Sequence, residues 1–206
     1  MNQSQEIPDT RTRLLDTAER LFGEHGFNGV GLRTISEDAE VNLGAATYHF
    51  GTKENLYKEA FLRRFLPTCE RRLHLLKTAK EASGDQPLSA ENILECMLLP
   101  IFDTLYSHPA FFKFMSHNLF WPSPFMQQVV ENEHAHAFQP FVESFQSLYP
   151  TLSPDIIMRQ MKYCAGALFF SVGRTLDAYT SLNEEEVKER VNHLLRFCAA
   201  GFEEMA

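Results

Sequence analysis

Apolar residues recur every three or four positions through almost the whole chain, and no stretch alternates apolar with polar residues over the length of a strand. This pattern predicts an all-α protein. Leu14, Leu15, Ala18, Leu21 and Phe22 form the first apolar stripe. Asp9 or Thr10 caps the helix that carries it, and Gly23 and Gly26 stand near its end. The stretch 26–31, "GFNGVG", reads as a turn. Leu32–Ala39 then predicts a short helix with Leu32, Ile35 and Ala39 facing inward. Glu40, Val41 and Asn42 make a tight turn, and Leu43–His49 predicts a second short helix with Ala46 and Phe50 on the same core. Thr52 caps a longer helix running from Lys53 to about Lys80. Pro67 is expected to interrupt or kink it, because proline lacks an N–H and its ring crowds the preceding turn. Residues 1–8 read as a frayed tail.

Further on, "SGDQPLS" (83–89) is the clearest linker. An amphipathic segment over 93–106 with Pro100 inside it and an aromatic-rich one over 110–120 follow. "WPSP" (121–124) breaks the chain. Helices are expected at about 125–147, 154–180 and 184–204. The domain boundaries predicted from this pattern are 9–66 and 67–206.

Two short helices joined by a three-residue turn and packed on a preceding longer helix form a helix-turn-helix arrangement. In such an arrangement the second short helix enters the major groove of DNA while the first crosses the backbone. The stretch "VNLGAATYHFGTKENLY" (41–57) fits that use. Gly44 and Ala45 are small enough for close approach. Tyr48, His49 and Lys53 carry donors suited to phosphates at the groove edge, and the N-terminus of the helix starting at Lys53 offers backbone N–H groups to the same anions. Ile35, Val41 and Phe50 are assigned to the core.

The segment from Thr10 to about Leu62, "TRTRLLDTAERLFGEHGFNGVGLRTISEDAEVNLGAATYHFGTKENLY", resembles the TetR family of bacterial one-component regulators nearly end to end. Within it, 41–57 most resembles the CecR-like regulators linked to efflux and antibiotic sensitivity. The resemblance implies an N-terminal three-helix helix-turn-helix domain followed by a helical bundle for effector binding and dimerisation. It implies DNA contacts by Arg33 or Thr34 on the first short helix and by Asn42, Leu43, Ala45 and Thr47 on the second, with Tyr48, His49 and Lys53 on phosphates or, for Lys53, at a helix end. Thr47 stands where a tyrosine is frequent, and Ala46 where a larger apolar residue is frequent. These departures imply one phosphate contact fewer and a slightly looser helix-turn-helix core.

Charge changes the picture. The net charge is −8, and even residues 1–66 hold eight Lys or Arg against ten acids. Bulk electrostatic attraction to nucleic acid is therefore excluded, and DNA binding has to come from local placement of cations. The four cysteines, Cys69, Cys96, Cys164 and Cys198, are far apart and sit in apolar helical sequence, which fits buried reduced thiols in a cytosolic protein. No apolar run reaches the ~18 residues of a membrane span, and no signal-peptide pattern opens the chain. A cytoplasmic location is expected, on the nucleoid when DNA is bound.

Phenylalanine is over-represented, at 18 copies against one Trp and six Tyr. Most of these residues are core. Their excess over the needs of a small bundle, with the resemblance, implies an apolar cavity for a small lipophilic or aromatic effector. The candidate lining is Phe102, Phe114, His117, Asn118, Trp121, Phe138, Tyr163, Phe170 and Arg174. Arg174 could pair an anionic ligand or simply Asp177. His134 and His136 are two apart on a helix and point to different faces, a poor chelate, so no metal is expected. No catalytic constellation stands out, and neither enzyme activity nor a cofactor is expected. The last helix carries Val187, Val191, Leu194 and Cys198, and the one before it has small residues from Ala165 to Gly173. Two such helices per subunit would form a four-helix homodimer interface. The resulting expectation is a dimeric repressor of a palindromic operator. A transcriptional activator or a helical small-molecule carrier would be built on the same fold.

Overall fold

A computed structural model of the protein describes residues 9–120, 123–173 and 184–206. Every regular element among them is a helix: α1 Thr10–His25, α2 Leu32–Asp38, α3 Leu43–Phe50, α4 Lys53–Ser83, α5 Ala90–Ser107, α6 Pro109–Phe120, α7 Pro124–Leu148, α8 Pro154–Gly173 and α9 Glu184–Glu203. The caps are those expected from sequence. The Asp9 carboxylate accepts from the Thr12 amide at 2.7 Å, and the Thr52 hydroxyl from the Asn55 amide at 3.2 Å. Each satisfies one of the amides that a helix start leaves without a partner. The interruption expected at Pro67 does not occur: α4 is helical through it. Pro100 and Pro140 are likewise carried inside helices. Among the described residues no helix is long and apolar enough to cross a membrane.

The chain divides into two compact units, the first comprising residues 9–65 with Ala110–Gln127 and the second residues 66–109 with 128–206. The return of α6 to the first unit does not follow the sequence boundaries, which give 67–206 to a single domain.

In the first unit α1, α2 and α3 pack on one another. Their core is aromatic. The Tyr57 ring sits 4.6 Å from Phe22 and 4.7 Å from Phe114, and Phe61 lies 5.7 Å from both Phe111 and Phe114. A Cβ on Gly23 would lie 2.8 Å from the Ala110 carbonyl oxygen and 3.1 Å from the Phe114 amide, so α1 and α6 meet backbone to backbone at that glycine. The buried Glu19 carboxylate accepts from Arg63 at 2.6 Å and from Arg64 at 3.2 Å, tying α1 to α4.

In the second unit α9 packs on α5 and α8. Phe145 of α7 stacks on Phe202 of α9 with ring centroids 4.0 Å apart. All four cysteines are buried and free, as the sequence predicts.

Candidate nucleic-acid interface

The helix-turn-helix is shaped by three local features. The Asn42 side chain accepts from the Ala45 amide at 2.7 Å and so starts α3. Gly51, at φ +72°, ends α3 in a backbone conformation that costs a residue with a Cβ. Between α2 and α3, Glu40 holds φ +53° without being glycine. The Arg13 guanidinium on α1 donates to the Ala39 carbonyl and, at 2.8 Å, to the Glu40 carbonyl. It clamps the turn in that conformation. The sequence reading missed this role of Arg13.

α3 has two faces. Ala46 and Phe50 are buried, with Ile35 of α2 behind them. Ala46 is fully enclosed. Leu43, Gly44, Thr47, Tyr48 and His49 are exposed, and Ala45 is half-buried at the edge. Tyr48 is 86% exposed, and its ring meets His49 edge-on at 5.4 Å. Thr47 donates to the Leu43 carbonyl at 3.0 Å, as a helical threonine often does, and stays accessible. On α2, Arg33 and Thr34 are exposed. The Arg33 guanidinium donates to Glu37 at 2.9 Å in an open i,i+4 pair.

Two of the sequence-selected residues have other employment. The Asn42 oxygen is the cap of α3. Lys53 Nζ donates to the carbonyls of Phe27 at 3.1 Å and Val30 at 3.2 Å, and lies 4.0 Å from the centre of the Phe27 ring. It ties the start of α4 to the loop before α2. The exposed face of α2, α3 and the turn between them carries Arg33, Thr34, Asn42, Leu43, Gly44, Thr47, Tyr48 and His49.

Residues 95–201, more than half the chain, match the family model described as tetracyclin repressor-like, C-terminal domain, and residues 14–60 match that of bacterial regulatory proteins, tetR family. The chain belongs to the TetR family. The helix-turn-helix repressor AcnR of Corynebacterium glutamicum is 41% identical over 49 residues, covering 24% of this chain and 26% of that protein. The regulatory protein RaaS of Mycobacterium tuberculosis is 50% identical over 46 residues, covering 22% of this chain and 21% of that protein. The chain thus spans about a quarter of the length of these curated relatives. The solved TetR family regulator PfmR from Thermus thermophilus shares the fold along 92% of this chain and 97% of its own, with a TM-score of 0.61 at 16% identity. These relatives carry the family and its regulators' fold, not the CecR-like subgroup. The family consists of transcriptional regulators rather than enzymes.

The candidate effector lining fares unevenly in this TetR-family chain. Phe114, His117 and Asn118 belong to the first unit and not to a cavity of the second. Phe114 is fully buried in its aromatic core, and Asn118 accepts from the Tyr57 hydroxyl at 3.2 Å and donates to the Phe114 carbonyl. His117 borders a cleft of about 630 Å³ with Phe27, Tyr57 and Phe125. Tyr163 and Phe170 of α8 are 62% and 69% exposed, which is a surface and not a lining. Phe102 is buried and Phe138 half-buried in the second unit. Trp121 and Arg174 lie outside the described residues.

Two of the four expected dimer residues need correction. Val191 and Cys198 are buried within the chain, with Cys198 against the Cys164 thiol of α8. Leu194 is half-buried, and the side chain of Val187 lies outside the described residues. Apolar residues on α9 occupy more than one face, and Val191 and Cys198 lie on the one that packs within the chain. The exposed one carries Phe197, at 70%.

Proposed function

We propose that the protein is a bacterial transcriptional repressor, cytoplasmic and nucleoid-bound when active. As a homodimer it holds a palindromic operator through the exposed face of α3 and releases it when the second unit takes up a small apolar effector. The observation that carries this reading is the exposed Tyr48, flanked by Leu43, Gly44, Thr47 and His49 on a helix whose back is locked by Ala46 and Phe50. A rigid helix presenting small residues for close approach and hydroxyl or imidazole donors for phosphates is suited to the major groove. The name of AcnR as a repressor supports the direction of the effect. Two subunits would present two such helices to half-sites about one helical turn apart, or a multiple of it. Tyr163 and Phe170, one heptad apart on α8, and Phe197 on α9 offer an apolar face for that pairing. Covering each aromatic is worth about 2 kcal/mol.

Selection from random duplex DNA by the wild type and by Tyr48→Ala tests the reading. It predicts an enriched palindrome that the variant loses while keeping its melting temperature. No enrichment at low salt from effector-free protein would overturn it. Phe197→Asp, sized by light scattering, tests the proposed pairing face: the expected product is a monomer, and an intact dimer would move the interface elsewhere.

A further inference from the structure

Arg72 of α4 is 3% exposed, and its Nε is buried without a hydrogen-bond partner. Among the described residues no carboxylate pairs with it. The contrast with its neighbour is direct: Arg71 reaches Asp103 of α5 at 2.6 Å in an open ion pair. The Arg72 guanidinium carbon instead lies 4.5 Å from the centre of the Phe138 ring and 5.5 Å from that of Phe141, both on α7. The Cys69 thiol stands one turn back on its own helix and is a weak acceptor. One further position along, the hydroxyls of Thr68 and Thr104 meet at 2.8 Å. Aromatic faces hold a guanidinium by its flat sides and leave its N–H edge free. Burial draws the Arg72 pKa down to about 10, which still leaves it charged near neutrality. A buried cation with no counter-charge is strongly unfavourable unless something else satisfies it.

We infer that Arg72 is the anchor of a ligand site inside the second unit, and that its ligand is an organic anion with an apolar or aromatic body. The two phenylalanines orient the guanidinium fork, the fork takes the anionic head, and the apolar residues of α7 beside it take the body. Arginine suits this task because its fork matches a carboxylate, sulfonate or phosphate in two parallel hydrogen bonds, which a lysine cannot supply. The inference rests on the effector reading proposed above and narrows it from an apolar molecule to an apolar anion. The sequence places its candidate cation at Arg174; the structure offers Arg72.

The test uses two dyes that share a ring system: 1-anilinonaphthalene-8-sulfonate, an anion, and N-phenyl-1-naphthylamine, which lacks the sulfonate. Both are titrated by fluorescence into full-length wild type, Arg72→Lys and Arg72→Met, each checked for folding by near-ultraviolet circular dichroism. The expected result is one anionic dye per protomer, bound about tenfold more tightly than the neutral one. Arg72→Met should weaken the anionic dye about 30-fold and leave the neutral dye nearly unchanged, with Arg72→Lys in between. Octanoate should displace the anionic dye and octanamide should not. Equal affinity of wild type for the two dyes overturns the inference, as does a preference that survives in Arg72→Met. Should Arg72→Met fail to fold, the wild-type dye preference and the octanoate comparison still decide. Operator selection on the same preparation separates the two readings. Specific DNA binding without charge preference overturns only the anion site, whereas charge preference without DNA binding overturns only the repressor.

Discussion

Replacing Lys53 with methionine separates a structural from a DNA-contacting role at the one position where the family resemblance allows both. The substitution keeps most of the apolar stem and removes the ammonium. It deletes two charge-assisted hydrogen bonds, to the Phe27 and Val30 carbonyls, and the contact over the Phe27 ring. Hydrogen bonds involving a charged group are worth about 1.5 kcal/mol each at the low end, and the ring contact adds roughly 0.5 kcal/mol. Lys53 is half-buried, so water recovers part of the loss, and a net cost of about 2 kcal/mol is expected. Urea denaturation reads that cost directly as a lower midpoint at unchanged slope. The second assay is the salt dependence of operator binding. A lysine on a phosphate contributes about 0.9 to the slope of log K against log salt, hence roughly 1.8 for a dimer. A lysine that serves the fold contributes nothing, so the slope should stay unchanged. Undiminished stability together with a slope shallower by nearly 2 would refute the structural assignment and return Lys53 to the phosphates.

Three further outcomes follow from the first unit. Glu40→Gly should stabilise the protein by about 0.5–1 kcal/mol, because it relieves a left-handed backbone at a residue with a Cβ; an unchanged or lower urea midpoint would mean that the Arg13 clamp has already absorbed the strain. Gly23→Ala should destabilise by about 2 kcal/mol or more, since the new Cβ meets backbone atoms of α6 that cannot turn aside, and a neutral result in the same titration would show that α1 and α6 slide freely. Tyr57 gives a pH signature: burial pushes its phenol up to about 12. Between pH 10 and 12 the unfolded chain loses that proton while the folded one keeps it, so stability falls as pH rises through this window, by about 2 kcal/mol at most. Tyr57→Phe should flatten this part of the stability–pH curve, at the cost of the hydrogen bond to Asn118.

Much of the fold was legible because it is written in local periodicity and caps. The bounds of α2 and α3 agree with the sequence to within a residue, since Ile35, Ala46 and Phe50 must share one side of two very short helices. The rest depends on contacts between distant parts of the chain. Phe111 and Phe114 read as an aromatic stripe of the second domain, and no local signal tells that their partners are Phe22, Tyr57 and Phe61. On α9, Val191 and Phe197 are equally apolar; only the packing of α5 and α8 decides which is covered. Lys53 looks like any exposed lysine at a helix start until the carbonyls of the loop before α2 are placed beneath it. Arg72 stands beside Arg71 in "CERRLHLL" with nothing local to set the two apart; that one reaches a carboxylate and the other, among the described residues, does not is decided only by packing.

The charge placement in the first unit constrains how DNA can be held. Between Thr10 and Phe65 stand eight Lys or Arg. Arg11 pairs with Glu59, Arg20 with Asp38, Arg33 with Glu37, and Arg63 and Arg64 with Glu19. Arg13 and Lys53 donate to backbone carbonyls. Among the described residues of this stretch, Lys58 alone has no such partner. The neutralisation of phosphates must therefore come from few side chains, helped by neutral donors at Tyr48, Thr47 and the start of α4, none of which releases a counterion in full. A shallow salt slope follows, about −2 to −4 for the dimer, against roughly −10 for a regulator that covers phosphates with free cations. Arg33 is the cation most easily released, because its pair with Glu37 is 81% and 66% exposed and such pairs contribute little to stability. Glu37→Gln should leave folding untouched and steepen the slope by about 2, one phosphate per protomer. A wild-type slope of −6 or steeper, unmoved by Glu37→Gln, would mean that the ion pairs of α1 and α4 open on the DNA, and that the cations seen here as structural ties are held in reserve for it.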